Sequence, residues 1–223
     1  MDRLLILVFL AVIMIGTAIP FIARSILWNR VLKRLNNGEY DGVLKLLHSK
    51  PFILFFSEYD REYNTLRVYL ARSENREIEK QTKKLLDMKL SKGQSYQVAS
   101  QTYYYFLDRE NKETCLRLLD ALRTKAQEEE MAYSEMLFRV LIEKKSDDID
   151  FVTKLLEEKD NEKIKKNQAR EHEVQVGLLQ YLLGLQYVYQ KDRKQGEVYL
   201  NKARGNLKGT PYHKKVKQML GKV

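Results

Sequence analysis

The chain has 223 residues, of which 44% are hydrophobic, and this length suits one domain with at most a small appendage. Three prolines and ten glycines are too few for a disordered or collagen-like chain, and the single cysteine excludes a disulfide framework and a cysteine-rich metal site. The net charge is +10, but residues 51–190 hold 23 basic against 25 acidic residues, so the nearly neutral middle argues against nucleic acid as a partner.

The first predicted element is an apolar segment that begins at Leu4 and ends at Ala23, twenty residues without a charge. A helix of that length covers about 30 Å, the thickness of the hydrocarbon layer of a membrane. Arg24 and Trp28 follow where a membrane interface is expected. These features predict a transmembrane anchor over residues 1–24, followed by one domain over residues 25–223.

A cleaved signal peptide is the alternative to a retained signal-anchor. The small residues at 16–18 resemble a cleavage site, but the apolar run continues beyond them, which favours retention. Four basic residues lie between Arg24 and Arg34, against Arg3 alone before the segment. The positive-inside bias therefore predicts a single-pass membrane protein with its C-terminal domain in the cytoplasm. The two basic ends of the chain also offer a contact for anionic lipid.

The rest of the chain is predicted to be all-α, because its apolar residues keep helical spacing and no alternating β pattern of useful length occurs. A helix over residues 26–35 stops at Asn36-Asn37-Gly38 and pairs with a helix over residues 40–48. The four further predicted hairpins are 58–72 with 76–88, 95–107 with 113–122, 129–143 with 150–157, and 174–190 with 197–203. Tyr212–Leu220 follows as a terminal capping helix.

Equivalent first-helix positions recur along these hairpins at Val31, Leu66, Tyr103, Arg139 and Gly184, with separations of 35, 37, 36 and 45 residues. A period in the mid-thirties for a helix–turn–helix unit predicts an α-solenoid of about five repeats plus the capping helix. The long last interval contains a charged stretch at 157–173, which we expect to extend a first helix into solvent.

The first and last hairpins carry motifs of a known family. Leu183-Gly184-x-x-Tyr187 matches the L-G-x-x-Y of a first helix, and Ala203 and Pro211 follow near the expected alanine and proline. Residues 38–43 (GEYDGV) are similar to the G-D-Y-D-E-A that joins two helices. On these residues the chain resembles the tetratricopeptide-repeat (TPR) family, although the three middle repeats keep the period without the glycine.

The resemblance implies a concave groove, lined by the first helices, that takes a peptide or a helix of a partner protein. Large aromatic side chains suit such a groove because they contribute contact area at low rotamer cost. By position, the candidate partner-binding residues are Tyr63, Arg67, Ser100, Tyr104, Asp108, Tyr181 and Tyr189.

The apolar run over residues 51–56 (PFILFF) has two interpretations. It is either the buried opening turn of the next helix, which we favour, or a surface that docks a partner or a bilayer interface.

No motif predicts chemistry. Cys115 shares a helical face with Leu118 and Leu122, as a core residue does, and His172 lies between two glutamates whose side chains do not converge with it on a helix. Phosphate-loop, nucleophile-elbow and zinc-protease motifs do not occur. We therefore expect no catalytic residue, no metal, no cofactor and no enzymatic activity.

The sequence thus predicts a membrane-anchored TPR-like adaptor or scaffold that binds a protein or peptide partner in a helical groove. One alternative is an extracytoplasmic TPR-like protein that assists envelope folding or assembly. Another is that the basic C-terminal region binds anionic lipid or RNA, since residues 191–223 hold ten basic against two acidic residues.

Overall fold

A computed structural model describes the backbone of residues 3–222 and their side chains, except the side chains of residues 3–15, Thr17 and Lys166. Within that part of the chain the structure has twelve α-helices, one short 3-10 turn and no strand. The all-α prediction is therefore confirmed, and most predicted helices lie within a few residues of the observed ones.

The helices are, in chain order, α1 (Arg3–Asn36), α2 (Tyr40–Leu47), α3 (Lys50–Phe55), α4 (Glu58–Arg72), α5 (Asn75–Asp87), α6 (Lys92–Asp108), α7 (Lys112–Leu122), α8 (Glu128–Leu141), α9 (Ile149–Asp160), α10 (Ala169–Tyr189), α11 (Arg193–Asn206) and α12 (Tyr212–Leu220). The 3-10 turn, Lys166–Gln168, precedes α10. The charged stretch at 157–173 is divided between the end of α9, an irregular segment at 161–165, this turn and the first residues of α10. It therefore contributes to both helices and not only to the first helix of the last hairpin.

The prediction of a single-pass transmembrane helix is wrong on this structure. The segment from Leu4 to Ala23 does not form a separate element, because α1 continues without a break from Arg3 to Asn36. The side chains of residues 4–15 lie outside the described residues. The side chains of α1 that are described lie at residue 16 and residues 18–36. A membrane-spanning stretch of about 18 residues within this part of the helix includes at least three cations. None of the helices in the described part of the chain is both long enough and apolar enough to cross a membrane.

The chain divides into two compact units, unit 1 (Met1–Val98) and unit 2 (Ala99–Val223). In unit 1, one face of α1 packs through Leu27 and Val31 against Leu47 of α2 and Phe52 of α3. Burial of these apolar side chains is the main stabilising contribution to this part of the fold.

The PFILFF run forms the short helix α3 and does not open the next helix, so the favoured interpretation is wrong in that respect. Its Phe52 is buried and stacks on Phe56, with 4.1 Å between ring centroids. Ile53 and Leu54 point away from this core, and the side chain of Leu54 is 76% exposed. The run is therefore half core and half surface.

In unit 2, α10 and α11 approach closely at two glycines. A Cβ added at Gly184 would lie 2.7 Å from Cγ of Leu200, and one added at Gly196 would lie 2.8 Å from Cγ2 of Val188. Real Cβ atoms do not approach carbon so closely, so a side chain at either position would force the neighbouring side chain or helix to shift. The Leu183-Gly184-x-x-Tyr187 pattern therefore marks a true contact between helices.

The turns between paired helices show the repeat most clearly. The first helix of each hairpin is followed by a residue with a positive φ, in the left-handed region that usually ends a helix at glycine. Only the first of these residues is a glycine, and the five are separated by 35, 37, 34 and 47 residues. These residues are Gly38, Ser73, Glu110, Lys144 and Lys191. The described chain is thus a helical repeat with a period in the mid-thirties over its first four hairpins and a longer last interval.

Candidate binding site

A cavity of about 320 Å³ lies in unit 2 among four helices, α6, α8, α10 and α12. Its walls are apolar, and they include the buried side chains of Leu107, Leu137, Leu182 and Leu185. The first three of these helices are first helices of successive hairpins, and α12 is the terminal helix. The repeat therefore brings one face from each of three hairpins to a shared space.

Five tyrosines line this cavity, and we call it the tyrosine-rich cavity. They are Tyr104, Tyr133, Tyr181, Tyr189 and Tyr212. The side chain of Tyr181 is only 7% exposed, whereas that of Tyr104 is 55% exposed, so the aromatic rings extend from the wall to the surface. The rings of Tyr181 and Tyr212 lie 6.3 Å apart between centroids, which joins α10 to α12.

The phenol groups of the cavity remain hydrogen-bond donors at neutral pH. Burial raises the pKa of Tyr133 and of Tyr189 to about 12, because the charged phenolate is poorly solvated there. Burial likewise raises the pKa of Tyr104, Tyr181 and Tyr212. All five hydroxyl groups therefore stay protonated.

Two ion pairs lie on the rim. Nζ of Lys215, on α12, lies 2.5 Å from Oδ1 of Asp108, on α6, and so links residues 107 positions apart in the chain. Nζ of Lys144 lies 3.1 Å from Oε1 of Glu110, and these two residues occupy the left-handed turns of neighbouring hairpins. Both pairs are largely exposed, so each contributes about 1 kcal/mol or less.

Four of the seven predicted partner-binding residues line this cavity: Tyr104, Asp108, Tyr181 and Tyr189. The prediction placed them in two different repeats, and the structure brings them together. Ser100 is exposed on α6, about two turns before Asp108, and it does not line the cavity.

The remaining two predicted residues, Tyr63 and Arg67, lie on α4 in unit 1. The ring of Tyr63 stacks on the ring of Tyr59 at 5.4 Å between centroids, and the Tyr59 hydroxyl donates a hydrogen bond of 2.8 Å to Oε1 of Gln97. Arg67 donates to Oδ1 of Asn64 at 3.2 Å. Unit 1 thus holds these two side chains in contacts of its own.

Sequence reasoning missed Tyr133, Tyr212 and Lys215. Tyr133 lies in the first helix of the fourth hairpin, from which no groove residue was proposed. Tyr212 and Lys215 lie on the helix interpreted only as a cap. The signal was present, because a terminal helix with a Tyr and a Lys three positions apart presents both on one face.

The ionisable side chains that line the cavity are those of the five tyrosines, three lysines, Asp108 and Glu110. No histidine or cysteine lines the cavity. Cys115 is fully buried in α7, where burial raises the pKa of its thiol to about 12, so it is not an activated nucleophile. Among the described side chains, no group of three or more His, Cys, Asp or Glu could hold a metal ion.

Fold and site together define a helical-repeat protein with an aromatic cavity at the junction of three repeats and a terminal helix. No protein-family model, curated protein or solved structure matches the chain.

Proposed function

We propose that the chain is a TPR-like adaptor or scaffold that captures a segment of a partner protein at the tyrosine-rich cavity, without chemistry of its own. The observation that carries this proposal is the convergence of Tyr104, Tyr181 and Tyr189 with buried leucines around one space. Apolar cavities that combine such walls with a few polar groups are the usual sites of ligand capture.

The size of the cavity suggests how a partner binds. A volume of about 320 Å³ is at the low end for ligand pockets. It suits one or two large side chains and not a folded surface. The proposed partner therefore inserts an aromatic or aliphatic anchor residue between the leucine walls and lays its backbone against the exposed ring of Tyr104.

Site-specific photo-crosslinking tests this proposal and identifies the partner in the same experiment. A photoreactive phenylalanine analogue replaces Tyr104 in the full chain, and the same analogue replaces Leu116 as a matched control. Leu116 lies on α7, is 45% exposed and does not line the cavity. After irradiation in cells, mass spectrometry identifies the crosslinked protein and the segment that carries the crosslink.

We expect a discrete protein adduct from position 104 and not from position 116. We also expect that the adduct shows one segment with an apolar anchor, because only that part of the partner reaches the cavity. The same adducts from both positions, or none from position 104, would contradict the proposal.

A further inference from the structure

We propose that the tyrosine-rich cavity also binds a small amphipathic organic acid, with the aliphatic chain among the leucines and the carboxylate on the ammonium group of Lys215. The inference concerns the same cavity as the proposed function, but it does not require a protein partner. If both ligands use this cavity, binding of the small acid excludes the protein segment, and binding of the segment excludes the acid.

The first argument is the charge on the rim. Three lysines, Lys144, Lys215 and Lys222, line the cavity, against two carboxylates, those of Asp108 and Glu110. Each carboxylate is already paired with one lysine. No ion pair joins Lys222 to any other residue that the structure describes. Among the described residues of the rim, positive charge is therefore in excess and attracts an anion.

The second argument is an excess of hydrogen-bond donors. The five tyrosine hydroxyls are protonated, and none donates a hydrogen bond to a described residue. Together with the lysines, these hydroxyls offer many donors, and the two carboxylates of the rim are already paired. A carboxylate accepts several hydrogen bonds through its two oxygens, whereas an ammonium group would only add further donors.

The third argument is the apolar wall. Leu107, Leu137, Leu182 and Leu185 are each almost fully buried at the cavity. An aliphatic chain transferred from water to such a wall gains about 0.8 kcal/mol for each buried CH₂ group. A ligand with a carboxylate head and a chain of several carbons can therefore pack its chain against the leucine wall and place its head on the lysines of the rim.

The ion pair between Lys215 and Asp108 gives the proposal a specific signature. The Asp108 carboxylate already occupies the ammonium group that the ligand would use, at 2.5 Å. The ligand carboxylate therefore competes with Asp108. Neutralising Asp108 should strengthen binding of an acid, whereas it should weaken binding of a cation.

The experiment measures the fluorescence of 11-(dansylamino)undecanoate added to the full chain, because the dansyl group becomes bright in an apolar site. Decanoate and decyltrimethylammonium then compete with the dye, and they carry opposite charges on alkyl chains that differ by about one carbon. We expect decanoate to displace the dye at concentrations at least about tenfold lower than those of the cation.

Matched variants locate the binding. The Lys215→Gln variant should bind the acid more weakly, and Asp108→Asn should bind it more tightly, each by about two- to fivefold for an exposed pair. The control for the lysine is Lys202→Gln, because Lys202 lies 5.3 Å from the centroid of the Tyr199 ring just as Lys215 lies 5.5 Å from that of Tyr212. The control for the aspartate is Asp120→Asn, whose partner Arg123 lies at 2.7 Å.

Leu178 also lines the cavity, so a third variant, Leu178→Trp, places a bulky ring there and should abolish dye binding, whereas Leu116→Trp on α7 should not. Far-UV circular dichroism confirms that each variant is folded. Equal displacement by both competitors, a weaker Asp108→Asn variant or dye binding that survives Leu178→Trp would overturn the inference. The crosslinking and dye-displacement measurements are independent. If the dye experiment contradicts acid binding but position 104 gives a specific crosslink, the acid inference is wrong and the proposed function is supported.

Discussion

Gly184 offers the sharpest test of the hairpin geometry behind the site. A Cβ at this position would lie 2.7 Å from Cγ and 2.9 Å from Cδ2 of Leu200, and 3.1 Å from the backbone nitrogen of the same residue. The leucine side chain can turn away only in part, and the backbone nitrogen belongs to α11 itself. Gly184→Ala should therefore push α10 away from α11.

The magnitude follows from two opposing effects. Replacing glycine by alanine inside a helix stabilises the helix by about 1 kcal/mol. Overpacking a close contact costs about 1–3 kcal/mol. The net effect at Gly184 is a loss of about 1 kcal/mol in the free energy of unfolding. The matched control is Gly205→Ala in α11, where a Cβ would meet no heavy atom within 4 Å. This variant should gain up to about 1 kcal/mol.

The assay is thermal unfolding followed by far-UV circular dichroism, with hydrogen exchange of α10 and α11 to localise the change to unit 2. A difference of about 2 kcal/mol between the variants corresponds to about 4–8 °C in Tm for a chain of this size. Trp28, the single tryptophan, reports separately on unit 1 by its fluorescence. If Gly184→Ala were as stable as Gly205→Ala, the close contact between α10 and α11 would be refuted.

Three further predictions concern the core. The carboxylate of Asp148 is 8% exposed and lies 2.9 Å from Nε of Arg139. Arg139→Leu leaves this carboxylate without its cation and should lower the free energy of unfolding by about 2–3 kcal/mol. An unchanged free energy of unfolding in urea would contradict this. Burial alone would raise the pKa of Glu62, but hydrogen bonds from Lys84 and a neighbouring glutamine hold it below its ordinary value. Since the folded-state pKa is the lower one, the Glu62 carboxylate stabilises the fold above its unfolded-state pKa of about 4.3. This contribution is lost as the pH falls through the folded-state pKa. In thermal scans at falling pH, the Tm of Glu62→Gln should therefore depend less on pH than that of the unaltered chain. Cys115 should resist maleimide in the folded protein at about pH 8 and react once the chain is unfolded, as mass spectrometry can show; rapid labelling of folded protein would place the thiol at the surface.

The period and the helices could be predicted because they depend on local patterns. Apolar spacing is readable wherever one face of a helix is buried, and α4 and α12 begin and end at the predicted residues. The left-handed turns could not be predicted at Glu110 or Lys144, because a positive φ usually indicates glycine and these residues carry side chains. Arg139 likewise has no family signal, since it replaces a small residue and pairs with Asp148 instead.

The candidate site could be predicted only in part, since its residues come from separate repeats. Position within a first helix was sufficient to predict that Tyr104 and Tyr181 belong to the candidate site. It was not sufficient for Lys215, because its contact with Asp108 joins residues 107 positions apart, which no local pattern contains. The apolar segment from Leu4 to Ala23 was interpreted from its hydropathy and its flanking residues, which do not show that α1 continues through its cations to Asn36.

The most direct test of the central claim is the affinity of the crosslinked segment, made as a labelled peptide, for the full chain and two variants. We expect Tyr104→Ala to weaken binding by about 1–2 kcal/mol, or about five- to thirtyfold, as truncation of a central aromatic contact does. Leu116→Ala, similarly exposed but outside the cavity, should bind as the unaltered chain does. Equal affinity for all three proteins, with Tyr104→Ala fully folded, would contradict capture at the tyrosine-rich cavity.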